Sequence, residues 1–361
     1  MSGGRTFRSA AVAGLLAILV CGGCSGGTEG APIGGPVLAA VSYSPEEVVL
    51  IEPGTLSVIR RIGLRSMGTD PLAIEGSRTF VTAQCGGLGD DADDAIALID
   101  LADGGRVRYV ELPEPNPGFV ASTGDGAVLV SHGVWDPGGI PVTRVDLSTG
   151  RVVDRGRVAN AYDGLVVAGG SLWTVGPEGA DVVDPAYTVR RTALDLSAST
   201  VFPADGQGTI VAPDGDSAET LLMGVSDGRS ARMSRVSATD LSVITSNTID
   251  GLENGVCEII DAGGLLVLRD SSGQDASDPG GPLVVLDRET LREVRRIDVG
   301  GSVSSIAALG DTVFAITWDS GEIIAIDPAS GAILRRARIE GLAGRMTQLA
   351  AMDATEAPGG P

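Results

Sequence analysis

A unit of about 40–50 residues recurs along the chain and restricts its fold more than any other feature. In its clearest copy, residues 307–340, β-rich runs at 312–317, 322–326 and 332–339 are separated by the turns DSG and DPASG. One more strand over 302–309 completes a four-stranded antiparallel meander. Each unit is therefore predicted to be a small antiparallel sheet.

The mark of the repeat is an apolar strand that ends in Asp or Glu, a short turn, and another strand. Seven copies of this mark begin at Val48, Ile96, Thr143, Ala180, Met233, Leu283 and Ile323. The aspartates predicted to cap these turns through Asx hydrogen bonds, and not to act in catalysis, are Asp100, Asp146, Asp184, Asp287 and Asp327. The fifth unit, residues 197–249, is the least regular, because 209–213 and 220–225 compete for one strand position.

Seven such units predict an all-β protein, a seven-bladed β-propeller of four-stranded antiparallel blades over residues 37–353. Only two strands, at 37–44 and 47–51, precede the first turn, whereas one strand, at 346–353, follows the last unit. We therefore expect the C-terminal strand to be the innermost strand of the first blade. This closure leaves no open edge in the ring.

Pairs of arginine recur in the segments predicted to be outer strands. They are Arg60–Arg61, Arg190–Arg191, Arg295–Arg296 and Arg335–Arg336. Charges on an edge strand oppose sheet-to-sheet association, and edge protection is the interpretation that we adopt.

The first segment is predicted to be a bacterial export signal. Arg5 and Arg8 precede an apolar run at 10–20, which is too short to span a membrane as a helix. The sequence Cys21-Gly-Gly-Cys24 alone is also compatible with an ordinary secretion signal or a redox CxxC pair. Gly22-Gly23-Cys24 resembles the lipobox of bacterial lipoproteins, although Cys21 stands where that family usually has Leu. The resemblance implies cleavage after residue 23 and acylation of Cys24, with palmitate among the acyl groups.

The remaining segments follow from that assignment. Residues 24–36 are predicted to be a flexible tether and 354–361 a disordered tail, and the propeller would lie on the outer face of the cell membrane. Two cysteines remain in the propeller, Cys85 and Cys257. An oxidising compartment permits a disulfide between them, but they lie in well-separated repeats, so a bond and two free thiols both stay open.

The net charge of the chain and its lack of lysine exclude several function classes. The formal net charge is -21, and all 26 basic residues are arginine, since the chain contains no lysine. Chemistry that needs a lysine Schiff base or nucleophile is therefore excluded. We expect no nucleic-acid partner, because binding phosphates requires clustered positive charge.

The repeats resemble the YVTN/YncE-type seven-bladed propellers of secreted bacterial proteins. The resemblance extends over about residues 37–353 and is clearest in GSLWTVGPEGADVVDPAYTVRRT and DTVFAITWDSGEIIAIDPASGAILRRA. It implies a propeller fold and no particular activity, since this fold carries many unrelated functions.

His132 is the only histidine, so metal sites built from several imidazoles cannot form and any histidine base must be His132. It follows a predicted second strand, beside a loop that contains Asp136, and we expect a half-exposed imidazole there. Similar repeats occur in the streptogramin lyases, and that resemblance implies a role for a histidine with acidic neighbours.

Two acidic loops join predicted second and third strands on one face of the ring. Their carboxylates are Asp90, Asp91, Asp93, Asp94, Asp275 and Asp278. Crowded carboxylates favour a hard cation such as Ca²⁺, although their spacing fits no EF-hand and solvated loop charge explains them as well. Apart from this cation, no cofactor is expected.

The sequence supports two functions of different classes. The first is a membrane-anchored, monomeric binding scaffold for an unidentified protein or small molecule, with these unlike loops as its recognition surface. The alternative is an extracytoplasmic propeller enzyme, a lyase or hydrolase that uses His132.

Overall fold

The computed structural model describes residues 31–74, 77–85, 94–133, 139–159, 164–177, 187–203, 210–215, 217, 219–226, 229–252, 255–270 and 281–353. Within these ranges the chain forms strands and turns and no helix, so none of the described segments could cross a membrane as a helix.

The strands form seven four-stranded antiparallel sheets, the blades, and each blade runs from an inner strand to an outer one. In that order, blades 1 to 3 are β28 (Thr347–Met352), β1 (Val37–Ser42), β2 (Glu47–Glu52), β3 (Ser57–Gly63); β4 (Met67–Ile74), β5 (Thr79–Cys85), β6 (Ala95–Asp100), β7 (Arg106–Glu111); and β8 (Pro117–Ser122), β9 (Ala127–His132), β10 (Ile140–Asp146), β11 (Arg151–Val158).

Blades 4 and 5 are β12 (Gly164–Ala168), β13 (Ser171–Pro177), β14 (Tyr187–Ala193), β15 (Ser199–Pro203); and β16 (Ile210–Pro213), β17 (Thr220–Ser226), β18 (Ser230–Ser237), β19 (Val243–Asp250). Blades 6 and 7 are β20 (Val256–Ala262), β21 (Leu265–Asp270), β22 (Leu283–Asp287), β23 (Glu293–Ile297); and β24 (Val303–Leu309), β25 (Thr312–Thr317), β26 (Glu322–Asp327), β27 (Ala332–Arg338). The all-β, seven-bladed prediction is confirmed.

The ring closes through the two ends of the chain. Each inner strand contacts the inner strand of the next blade, and β24 of blade 7 contacts β28 of blade 1. β1 pairs with β2 on one side and with β28 on the other, in a register that joins Val37 to Met352 and Ser42 to Thr347. The predicted closure by the C-terminal strand is therefore confirmed.

Both described chain ends lie on one face of the ring, which we call the lower face. It carries the turns between first and second strands and between third and fourth strands, and the upper face carries the remaining connections. Arg78, in the β4–β5 turn, donates to the carbonyls of Ile33 (2.6 Å), Gly35 (2.9 Å) and Asp353 (3.2 Å). One guanidinium therefore holds the two chain ends together at this face.

Seven apolar clusters fill the seven interfaces between neighbouring blades. They consist mainly of Val, Ile, Leu and Ala, because aromatic residues make up only 3% of the chain. Trp173, the largest fully buried side chain, stacks on Phe202 with ring centroids 6.2 Å apart. Burial between blades, and not within one sheet, therefore holds the ring together.

The turns between third and fourth strands share one backbone device, a residue with positive φ. Glycine fills this place in three blades and leucine in four, at Gly105, Gly150, Gly331, Leu56, Leu196, Leu241 and Leu291. The leucine side chains join the interface clusters, and Leu56 and Leu291 are fully buried, so packing offsets the strain of this conformation. The predicted Asx caps are confirmed at Asp100, Asp146, Asp287 and Asp327, whereas Asp184 lies outside the described residues.

The predicted division between the fourth and fifth units is wrong. Residues 199–203 form the outer strand of blade 4, so the third-to-fourth turn of that blade lies at Asp195 and not at Asp184. The two segments expected to compete in the fifth unit are both strands, the neighbouring β16 and β17. With residues 199–203 removed from the unit, four strands remain and the conflict disappears.

Two members of the arginine pairs make hydrogen bonds to other blades. Arg61 donates to the carbonyl of Glu340 in the connection after blade 7 (2.5 Å), and Arg296 donates to that of Asp250 in blade 5. They therefore join neighbouring blades. Arg190 and Arg191 lie in β14, a third strand, which corrects their predicted place on an outer strand.

Candidate functional site

The inner strands of four consecutive blades carry a chain of side-chain acceptors along the central channel. Glu258 in blade 6 accepts the Ile306 N–H (3.0 Å), and Ser305 in blade 7 accepts that of Leu349 (3.1 Å). Gln348 in blade 1 accepts the Asp70 N–H, and Asp70 in blade 2 accepts that of Val120 (2.6 Å). We call Glu258, Ser305, Gln348 and Asp70 the polar belt, because each ties its blade to the next one.

Glu258 is the most strongly bonded member of the belt. Its carboxylate forms an ion pair with Arg269 (2.6 Å to Nε) and accepts the Ser305 hydroxyl (2.8 Å). The Arg269 side chain is only 10% exposed and also donates to the carbonyl of Val303 (3.3 Å). Because its carboxylate is bonded to these groups of the protein itself, we interpret Glu258 as a structural residue.

Asp70 is the strained member of the belt. It has a φ of 45°, which is unusual for a residue other than glycine, and it interrupts the β4–β5 register just before Pro71. Burial raises the pKa of its carboxyl to about 7, against the lowering effect of the Val120 N–H, and the Glu258 carboxylate raises it further. Burial, with contributions from Asp70 and Cys85, also raises the pKa of Tyr43. Asp70 is thus a carboxyl in the channel that changes charge near neutral pH.

Replacing Asp70 with Asn should flatten the dependence of stability on pH. The pKa of Asp70 in the folded state lies above its value in the unfolded state. Its contribution to the free energy of unfolding should therefore be complete below about pH 4 and be lost as the pH rises through about 7. Asn keeps an acceptor for Val120 and tolerates positive φ, so Asp70→Asn should gain on the order of 2 kcal/mol over wild type above pH 7. Urea unfolding at pH 5, 6, 7 and 8 measures the difference. Parallel curves for the two proteins would contradict the assignment.

The opposite arc of the channel is apolar. Strands β8, β12 and β16, with sequences PGFVAS, GLVVA and IVAP, contain no charged residue. At the lower end of this arc lies a cavity of about 1180 Å³. Ala73, Ser122, Val167 and Pro213, from blades 2 to 5, border it at the channel.

The same cavity continues outward between blades 2 and 3, where its lining becomes charged. Asp103, Arg106 and Arg108 line this part. Asp103 and Arg106 form an exposed ion pair at 3.4 Å, and Arg108 donates to the carbonyl of Leu147. The arrangement offers an apolar pocket with a charged entrance, on the face that carries the short turns.

His132 lies inside the protein, which corrects the expected half-exposed imidazole. It ends β9 and is 1% exposed. Its Nε2 lies 2.9 Å from the Thr143 hydroxyl and its Nδ1 3.1 Å from the carbonyl of Pro115, so both ring nitrogens have partners. Burial lowers the pKa of His132, and the neutral ring ties β9 to β10 and to the connection from blade 2.

Asp94 and the two cysteines also have structural partners. Asp94 is buried and accepts the N–H of Asn116 (3.1 Å), and the side-chain oxygen of Asn116 accepts the thiol of Cys85 (3.2 Å). Cys257 donates to the carbonyl of Arg269 (3.6 Å), and burial raises the pKa of its thiol to about 12. Both thiols are free. Of the two alternatives for this pair, the structure therefore has the one without a disulfide.

Other predicted site residues lie outside the described residues. These are Cys24, Asp90, Asp91, Asp93, Asp136, Asp275 and Asp278. Among the residues that are described, no three His, Cys, Asp or Glu side chains come close enough to hold a metal ion. Binding of Ca²⁺ by the two acidic loops stays a prediction, and thermal melts with and without a chelator test it.

Comparisons with known proteins identify the fold and no family. No family model and no curated protein matches the chain. A functionally unknown protein from Desulfotomaculum acetoxidans is 13% identical, with a TM-score of 0.59 over 86% of this chain and 98% of the other. Apo AztD from Citrobacter koseri is 12% identical, with a TM-score of 0.55 over 89% and 98%. The dihydro-heme d1 dehydrogenase NirN in complex with DHE is 13% identical, with a TM-score of 0.54 over 91% and 76%.

Proposed function

We propose that this chain is a membrane-anchored extracytoplasmic lipoprotein whose propeller binds a ligand or a partner protein. The observation that carries the binding role is the cavity of about 1180 Å³ that borders the inner strands of blades 2 to 5 and continues outward between blades 2 and 3. Cavities of roughly 300–1,000 Å³ accommodate small ligands, so this one has room for a small molecule or the tip of a peptide.

The lining of the cavity favours a ligand with an apolar part and a charged end. Val167 and Pro213 offer apolar surface at the channel, and Asp103 and Arg106 stand at the entrance. Their side chains are 39% and 72% exposed, and an ion pair in water contributes little to stability, so a charged ligand could replace either partner at small cost.

Small molecules carried through purification test this role. We expect mass spectrometry to detect a compound released by denaturing the wild-type chain, and to detect much less of it from Ser122→Trp, where the indole would occupy the channel end of the cavity. Ala329→Trp, on an exposed turn of blade 7 on the same face, is the matched control and should retain the compound. Equal release from all three proteins would contradict binding in this cavity.

The alternative function is an extracytoplasmic lyase or hydrolase that uses His132. The burial of His132 and the partners at both ring nitrogens favour the binding scaffold, because a general base must reach its substrate. Turnover of any substrate by the purified chain, abolished in His132→Gln with an unchanged melting temperature, would establish the enzyme instead.

The anchoring part of the proposal predicts that a Cys24→Ala chain remains uncleaved or is released from the membrane. The physical reason is that diacylation of this cysteine would precede cleavage and supply the anchor. Membrane fractionation followed by mass determination of the N-terminus measures both steps, with Cys21→Ala as the control expected to be processed normally. A Cys24→Ala protein that is cleaved and retained like wild type would refute the anchor.

A further inference from the structure

Blade 5 has an outer edge unlike those of five other blades. The strands β3, β7, β11, β23 and β27 each carry at least two arginines, and β11 and β27 carry three. β19, with the sequence VITSNTID, has no basic residue and one acid, Asp250, at its end. β15 of the neighbouring blade 4, STVFP, has no charge, so two adjacent blades present uncharged edges.

The side chains of β19 are exposed as well as uncharged. Val243 is 59% exposed and Ile244 56%, the two highest values among the large apolar residues of the described surface. Ser246 and Thr248 are also exposed. Arg232 and Arg235 belong to β18, and Arg235 is held by Asp214 on the lower face (2.5 Å). Arg296 of blade 6 reaches the end of β19, where it donates to the carbonyl of Asp250. The middle of the edge therefore has none of the charges that usually block strand addition.

We infer that the β19 edge is a docking surface for a second copy of this chain, through antiparallel pairing of β19 with its symmetry mate. A two-fold axis at Ser246 would set this residue opposite its symmetry mate and Thr245 opposite Asn247, and such polar pairs stabilise a sheet. Only Asp250, at the strand end, carries charge, so no like charges meet in the centre. The same pairing at β27 would instead bring its three arginines close to the three arginines of the symmetry mate.

The size of the contact sets the expected affinity. Eight residues of strand span about 27 Å. Two such edges with their flanking side chains bury on the order of 1,000 Å², near the lower limit for a specific interface. The pairing should therefore be reversible, with a dissociation constant on the order of 10 µM.

Sedimentation of the full chain in mild detergent, from about 1 to about 100 µM, tests the inference. We expect a concentration-dependent dimer that Ser246→Lys weakens roughly tenfold or more, because the axis brings two lysines together. Leu334→Lys, on the already basic β27, is the matched control and should not change the dimer. Hydrogen exchange is a second readout, since amide protection over Val243–Asp250 should rise with protein concentration.

A wild-type chain that stays monomeric at about 100 µM would overturn the inference, as would a Ser246→Lys chain that dimerises like wild type. A synthetic VITSNTID peptide should compete with the dimer. If extended peptides bind this edge but the chain itself does not dimerise, the edge serves another protein and the inference fails. None of these outcomes depends on ligand binding in the cavity.

Discussion

Removal of residues 346–361 should lower the free energy of unfolding by about 5 kcal/mol or more, or prevent folding. The deletion takes away β28, the inner strand of blade 1, and six paired positions along β1. Leu349 and Met352, which pack into the clusters on either side of blade 1, are lost with it. Apolar contacts and backbone hydrogen bonds therefore disappear together.

Thermal and urea unfolding measure this effect. A chain that lacks only residues 354–361 is the control, since it keeps the whole of β28. We expect the control to melt like wild type. A protein without residues 346–361 that melted within about a degree or two of wild type would show that ring closure contributes little.

The second large effect is expected for Glu258→Ala, at about 3–5 kcal/mol. The substitution leaves the Arg269 guanidinium, on a side chain only 10% exposed, without its carboxylate partner. It also removes the acceptor of the Ser305 hydroxyl and the Ile306 N–H, which join blades 6 and 7. An unpaired buried charge is the largest of these costs.

An exposed ion pair supplies the comparison for Glu258. Glu293 and Arg296, in β23, are 36% and 32% exposed, so Glu293→Ala should cost about 1 kcal/mol or less. The double variant Glu258→Ala/Arg269→Met should recover part of the loss, because the uncompensated charge is then gone. If Glu258→Ala cost no more than Glu293→Ala in urea unfolding, the polar belt would not be a structural element.

The regular blades were predictable from local sequence alone. In blade 7, the predicted strands at 302–309, 312–317, 322–326 and 332–339 match β24 to β27 within one residue at each end. The reason is physical. An alternating apolar pattern fixes the strand, and the Asp at its end fixes the turn through a hydrogen bond within three residues.

Blade 4 was misdivided because ADVVDPAYTV, from Ala180, carries the mark of the repeat, an apolar run that ends in Asp184 before a turn. The strand that follows this run, with Arg190 and Arg191, is the third strand β14 and not an outer strand. The shift moved the turn aspartate from Asp195 to Asp184 and displaced residues 199–203 into the next unit.

The polar belt could not be predicted from the sequence, since its bonds join residues far apart in the chain. Asp70 and Gln348, for example, meet only because the ring is closed. A signal was present, because each inner strand of the belt has at least two hydrogen-bonding side chains, whereas β12 and β16 are wholly apolar. The buried position of His132 had no comparable signal, because its partner Thr143 lies on the adjacent strand, beyond a loop.

The clamp of Arg78 on both chain ends fixes how the molecule would stand on a lipid surface. Residue 31 leaves the ring at the lower face, and a flexible tether of the seven residues 24–30 would reach roughly 15 Å. With Cys24 acylated, the mouth of the cavity would open toward the bilayer, and the upper loops would point to the surroundings of the cell. A hydrophobic compound leaving the membrane would then meet the cavity first, whereas a soluble protein would meet the opposite side. The β19 edge stands at the flank, where two anchored copies could approach side by side.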